Sequence, residues 1–173
     1  MPVKPTMQIF RAAEGRVLPD ENGDVNMELL PMSQSSQDGF ARLIEAGLTD
    51  GNYTKILFDA PGFSLAYVWF KPHFPLPRHS HKQDCLYYIV DGSIRLGKES
   101  PGAGDGFFLP GGTPYTYGIG PEGVQMLEIR HCGEIDYRSF SHTLAWWDKA
   151  EKAIRDNHAA WQTIAPPRPA LSA

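Results

Sequence analysis

The amino-acid sequence predicts an all-β fold flanked by two helices, and three observations carry that prediction. From Tyr53 onward, short runs rich in β-branched and aromatic residues follow one another: TKILFD, FSLAYVWFK, DCLYYIVDG, SIRLG, DGFFLPGG, TPYTYGIG and VQMLEIRH. Gly, Pro and Asp separate these runs, as turns between strands require. The gaps leave no room for crossover helices, so the strands are expected to pair mainly antiparallel.

The flanking segments have a different texture. Met1 to about Pro31 contains Pro2, Pro5, Pro19 and Pro31 and a Gly/Asp/Asn cluster from Asp20 to Asp24; it reads as an arm carrying one short strand. SQSSQDGFARLIEAGLTDG places Phe40, Leu43, Ile44 and Leu48 at helical spacing. A short helix from about Gln37 to Ala46 is expected, with Ser36 at its N-cap and Gly47 or Gly51 near its stop. Beyond Tyr137, the residues Leu144, Trp147, Ala150, Ile154 and Trp161 again fall near helical spacing, and the PPRP segment after Ala165 ends the pattern. An apolar helical stripe of this kind packs against the outside of the β unit or against a second subunit. The chain therefore divides into an N-terminal arm and helix (1–52), a β unit (53–137) and a C-terminal helix and tail (138–173), all within one domain.

Composition narrows the function. A chain of 173 residues suits one domain with a sizeable core. The net charge of −4 is spread over intermixed acidic and basic residues, so no stripe is laid out for phosphates or anionic lipid, and neither nucleic acid nor membrane is an expected partner. No leader-like segment and no apolar run of about 20 residues is present, which gives the expectation of a soluble cytoplasmic protein. Two cysteines, Cys85 and Cys132, are too few for a disulfide framework and are expected to be reduced. The glycine-rich GAGDG precedes a strand rather than a helix, so it lacks the helix N-terminus that would hold a phosphate.

The chemistry concentrates in RHSHKQDCLYYIVDG, Arg78 to Gly92. Side chains alternate faces along a strand, so His79 and His81 project together, and the same parity carries on through Cys85, Tyr87 and Ile89. Taken alone, such a pair is more often two wet loop histidines than a site.

The surrounding spacing resembles the first motif of the cupin superfamily, which runs Gly, five residues, His-x-His, three or four residues, Glu, six residues, Gly. Here His79 and His81 are followed by three residues, Cys85, six residues and Gly92. Cys85 stands where cupins usually carry glutamate, and the first glycine is missing. The second cupin motif, Gly, five residues, Pro-x-Gly, two residues, His, is similar to Gly104, Pro110, Gly112 and Tyr115, with tyrosine in place of the last histidine.

The resemblance implies a cupin-type jelly-roll β-barrel with a divalent transition metal (Fe, Zn, Mn or Ni) at one end of its lumen. It also implies a homodimer, for which an exposed Trp146/Trp147 helix would give a physical reason. His79 and His81 are then the best-supported metal ligands. Cys85 is either a third ligand as thiolate or a small apolar core residue. Tyr115 either hydrogen-bonds or protonates a substrate, or packs as a barrel aromatic. In VQMLEIRH, the residues Gln125, Leu127, Ile129 and His131 share one face, and Leu127 and Ile129 mark it as the more apolar. If that face looks inward, His131 either joins the metal site or is a buried structural histidine. Tyr87 and Tyr117 add to an aromatic lumen suited to a small organic, aromatic or carbonyl-containing molecule. His142 and His158 fall in the helical tail, solvated or interfacial.

The fold does not choose a reaction. Oxygenase and lyase or isomerase chemistry on a metal both fit, as does metal-independent acid/base catalysis by Tyr115 or His131. So does a non-catalytic binding or sensing module, with or without metal.

Overall fold

The computed structural model describes residues 7–19, 28–29, 31–132 and 135–167; the Asp20 to Asp24 cluster lies outside them. Its strands are β1 (Arg16–Leu18), β2 (Glu28–Leu29), β3 (Asn52–Ala60), β4 (Phe63–Phe70), β5 (His79–Ser80), β6 (Cys85–Arg95), β7 (Gly106–Leu109), β8 (Gly118–Arg130) and β9 (Asp136–Ser139). Two α-helices, α1 (Gln34–Glu45) and α2 (Leu144–Trp161), flank the long strands.

β1, β3, β4, β8, β6 and β7 form a six-stranded sheet in that order, antiparallel throughout. β2, β9 and β5 make a smaller sheet in which β2 runs parallel to β9 and β5 antiparallel. The protein is thus mostly β-sheet with two helices. The expected closed barrel is not formed among the described residues: β1 and β7 are edges of the large sheet. Pro72, Pro75 and Pro77 precede β5, and Pro110 and Pro114 follow β7; proline offers no N–H to a sheet ladder. A bridge between His79 and Tyr115 joins the two stretches.

Pairing of β6 with β8 is interrupted by bulges at Ile89/Asp91 and Gly92/Ile94. Gly92, the last residue of the first motif, sits there with φ +76°, and the place of its Cβ is filled by the carbonyl of Gly123. Only glycine fits both constraints without strain.

The main core lies between the inner face of the large sheet and the helices, joining Val68, Phe70, Ile89 and Met126 to Leu43 of α1 and to Trp147, Ala150, Ile154 and Trp161 of α2. α1 begins at Gln34 with Ser33 at its N-cap, earlier than the expected Gln37, and Ser33 hydrogen-bonds the Ser36 hydroxyl at 3.1 Å. The helices approach closely because Gly39 leaves no side chain where the Trp147 indole lies. Arg42 then bridges to Asp148 at 2.7 Å and Glu151 at 2.6 Å. Trp147 is therefore buried, and Trp146 is half-buried against His142 with ring centroids 3.8 Å apart. The expected exposed tryptophan surface is absent because α1 and the loop before α2 cover it.

At its C-terminal end, α2 is tied to the chain leaving β4: Lys71 Nζ donates to the Trp161 carbonyl at 2.7 Å, and Trp161 Nε1 donates to the Pro72 carbonyl at 2.9 Å. These bonds fix the start of the proline-rich segment that delivers His79. Among the described residues, no helix is long and apolar enough to cross a membrane.

Candidate functional site

A proline-rich segment that turns at Pro72 and His73 leads into the histidine pair. The His79 N–H donates to the Tyr115 carbonyl at 2.9 Å, and the Tyr115 N–H returns to the His79 carbonyl at 2.8 Å. The Gly112 N–H donates to the His81 carbonyl at 2.7 Å, with Gly112 at φ +75°. The two stretches carrying the motif spacings are thereby clamped together.

The tautomers follow from the partners. A carbonyl oxygen only accepts, so His79 Nδ1–H donates to Pro77 O at 2.8 Å and His81 Nδ1–H donates to Asp136 O. Nε2 of each ring then carries a lone pair. That of His79 accepts the Tyr115 hydroxyl at 2.8 Å, and the Tyr115 oxygen in turn accepts the Tyr87 hydroxyl. The result is a one-way chain, Tyr87 to Tyr115 to His79 to Pro77. That of His81 faces Nη2 of Arg130 at 3.4 Å. Burial, helped by neighbouring His81, lowers the His79 pKa to about 4; burial and then the Arg130 charge lower that of His81. Both rings are neutral at pH 7.

Cys85, Tyr87 and Ile89 all point inward from β6, on the histidine side. Burial pushes the Cys85 thiol up to about 12, so it is a neutral thiol. On β8 the inward residues are Val124, Met126, Glu128 and Arg130. Gln125, Leu127 and Ile129 face out, and His131 is exposed; the face expected to look inward looks outward instead. The cause is register. Cys85 pairs with Arg130 and Tyr87 with Glu128, and directly paired residues share a face. Fixing the inward phase of β6 from the histidine motif and carrying it across the pair would have found Glu128 and Arg130.

These two charges are the polar residues that the sequence did not single out. Glu128 and Arg130 form a buried ion pair at 2.5 Å, the arginine side chain 2% exposed. Burial is the largest single influence and lowers the arginine pKa, but the Glu128 charge together with Cys85, Tyr87 and Tyr115 raises it on balance, so the guanidinium stays charged.

Above the pair lies a cavity of about 210 Å³. His79, His81, Glu128, Arg130 and Tyr137 line it together with Asn52, Thr54 and an apolar group that includes Phe40, Val68, Phe70 and Phe74. Tyr137 of β9 also stacks on His79 at 4.9 Å. Tyr115 and Tyr87 back the histidines rather than line this cavity, and Tyr117 borders a separate open groove of about 740 Å³ beside Trp146. His142 accepts the Arg78 N–H at 3.0 Å, and His158 pairs with Asp50 at 2.7 Å.

A divalent cation fits this donor set poorly. The histidine lone pairs have the tautomer a ligand needs, but one holds the Tyr115 hydroxyl and the other faces a guanidinium. At about 4 Å and an effective dielectric of about 20, two unit charges repel by about 4 kcal/mol, and a divalent ion beside Arg130 would face about twice that. Among the described residues, no group of three His, Cys, Asp or Glu is placed to hold a metal ion.

The two stretches whose spacings resemble the cupin motifs meet at the histidine end of the large sheet. No protein-family model matches the chain, and no curated protein sequence matches it. Among solved structures, an oxalate decarboxylase from Bacillus subtilis is similar at a TM-score of 0.43 and 21% identity, covering 48% of this chain and 26% of that one. The polyketide cyclase RemF from Streptomyces resistomycificus is similar at a TM-score of 0.48 and 21% identity, covering 61% and 82%. Another Bacillus subtilis oxalate decarboxylase structure, described for its Mn(II) centres, has a TM-score of 0.42 and 23% identity, covering 53% and 26%. The match thus spans about a quarter of the oxalate decarboxylase chain.

Proposed function

We propose that this chain is a small-molecule cupin whose internal cavity binds a small organic compound and serves proton transfer on it. The observation that carries this is a cavity lined by the Glu128 carboxylate, by Arg130 and by the His79 and His81 rings, each ring held by its Nδ1–H on a backbone carbonyl. His79 is held neutral with its lone pair toward Tyr115, so the phenol has a fixed acceptor and the ring a fixed orientation. Glu128 supplies the accepting carboxylate. At about 210 Å³, the cavity is smaller than the roughly 300–1,000 Å³ usual for drug-sized ligands, so the compound is compact. Its apolar lining suits an aromatic or aliphatic body bearing a carbonyl.

The test is deuterium exchange at the carbon beside the carbonyl of bound acetophenone, followed by NMR with metal-free protein. Glu128→Gln is expected to lower exchange at least a hundredfold, with binding retained. Exchange that is unchanged in this variant rejects the catalytic assignment.

A metal-dependent oxygenase, lyase or isomerase, with Fe, Zn, Mn or Ni on His79 and His81, is the alternative that the Arg130 charge opposes. Elemental analysis decides it: stoichiometric metal after reconstitution, lost in the His79→Ala, His81→Ala double variant, would reinstate it. The mutual satisfaction of His79 and Tyr115 favours a second outcome, a binding or sensing module that retains ligand without turnover. We also propose a homodimer. Leu86, Tyr88, Val90 and Phe108 stand exposed on the outer face of the large sheet and offer apolar surface for a second copy. Light scattering that shows a monomer at micromolar concentration would reject it.

A further inference from the structure

We infer that Arg130 takes the place of a metal as the cationic centre of the cavity, and that the ligand it receives is a compact carboxylic acid. The inference rests on the small-molecule role proposed above and names the class of ligand.

A guanidinium has three nitrogen corners and five N–H bonds. In Arg130 only Nη2 is engaged, with Glu128 at 2.5 Å and His81 at 3.4 Å. Nε and Nη1 are buried and have no hydrogen-bond partner, and neither does the hydroxyl of Ser64. Ser64 is the residue paired with Arg130 across β4 and β8, so three unpartnered polar atoms belong to one cross-strand pair. Native interiors satisfy nearly all such groups, and an unpaired buried donor costs about 1–3 kcal/mol or more when charged. What is missing is an acceptor, since the guanidinium carries no lone pair to offer.

The rest of the cavity says which acceptor. Glu128 holds one corner of the guanidinium, leaving the free donors at the other two. His79 and His81 each donate their Nδ1–H to a backbone carbonyl, so neither ring presents an N–H inward. Lys55 and Lys71 do not line the cavity. Phe40, Phe70 and Phe74 line the same cavity and suit an apolar body of about the size of a benzene or cyclohexane ring. An oxygen-rich head on a small apolar body, set against an always-charged arginine, describes an aromatic or alicyclic carboxylate. A metal ion at the same place would be held apart from the histidines by the guanidinium.

The experiment uses the full chain freed of metal by chelation, with benzoate, cyclohexanecarboxylate, and their neutral amides, benzamide and cyclohexanecarboxamide, as probes. Isothermal titration calorimetry is expected to show each acid bound at least tenfold tighter than its amide. The preference is expected to vanish in the charge-balanced double variant Glu128→Gln, Arg130→Met, which keeps amide binding within threefold. In the unaltered protein, the side-chain Nε–H resonance of Arg130, assigned by its loss in Arg130→Lys, is expected to shift on adding benzoate and not benzamide. This second measurement does not depend on a variant folding. Equal affinity for acid and amide overturns the carboxylate assignment and leaves the small-molecule role intact. Binding that appears only with added Mn(II), Fe(II), Zn(II) or Ni(II) overturns the replacement of a metal by Arg130. No binding of any probe, with the Arg130 signal unmoved, overturns both and assigns the free donors to buried water.

Discussion

β6 and β8 are neighbours along their whole pairing, yet they distribute polarity in opposite ways. Along the first half of β6, Cys85, Tyr87 and Ile89 are buried while Leu86, Tyr88 and Val90 are exposed, and every one of them is apolar or aromatic. At the histidine end of β8, the buried residues are Glu128 and Arg130, while Leu127 and Ile129 face out. Charge inside and hydrocarbon outside reverses what folding alone would select. One strand is therefore built chiefly for packing, and the end of the other for a ligand. The difference teaches where to look for function in a sheet of this kind: at the place where the hydrophobic pattern is inverted relative to its partner.

The largest test of that contrast is removal of one member of the inverted pair. Arg130→Leu leaves Glu128 as an uncompensated buried charge and is expected to cost about 3–5 kcal/mol in chemical denaturation. The double variant Glu128→Leu, Arg130→Leu is expected to cost less than that single change. A double variant that loses as much as the sum of the two single ones would mean that the ion pair does not act as a unit.

Next comes acidity. The His79 pKa is lowered from 6.5 to about 4, so the unfolded state binds the proton more readily. Stability is then complete above about pH 6.5 and falls as pH drops toward 4. The shift of about 2.5 units corresponds to roughly 3 kcal/mol at most. The groups facing this ring are His81, Glu128, Arg130, Tyr115 and Tyr137. Urea midpoints taken between pH 4 and 7 check it, with His79→Gln expected to flatten the slope; an equally steep slope in that variant would assign the effect to other groups.

A smaller effect is expected on the packing strand's own polar link. Tyr115→Phe removes the hydroxyl that joins Tyr87 to His79, and is expected to cost about 1–3 kcal/mol through two buried partners left unpaired. A thermal midpoint unchanged within error would mean that another group takes up both bonds. The smallest effect belongs to the outer face. Leu86→Thr, at a residue 47% exposed, is expected to stay within about 0.5 kcal/mol at low protein concentration. A larger loss that grows with protein concentration would show the face to be covered by a second copy.

The histidine end of the molecule was legible in the sequence because it is written in short-range terms. Two spacings, His79-x-His81 to Gly92 and Gly104 to Tyr115, and the parity that carries Cys85 and Tyr87 inward, need only the alternation of a strand. The helix ending at Glu45 and the one ending at Trp161 were readable from their apolar stripes for the same reason. The phase of β8 was not. Leu127 and Ile129 marked the apolar face, and apolar faces are normally buried; here the covering came from Tyr67, Trp69 and Ile164 on the outside of the sheet instead. His131 followed that face outward, and Glu128 and Arg130 went unnoticed because nothing local distinguishes a buried ion pair from two surface charges.

The sequence by itself determined the strand-rich core, its antiparallel character, the helices and the histidine pair, because each depends on backbone propensity and on the period of side-chain projection. Only the tertiary structure decided that the large sheet stays open, that Trp147 is sealed by Gly39, and that Arg130 stands at Nε2 of His81 where a metal was expected. Those outcomes depend on register between strands far apart in the chain, and register is fixed by which faces find a partner to bury them.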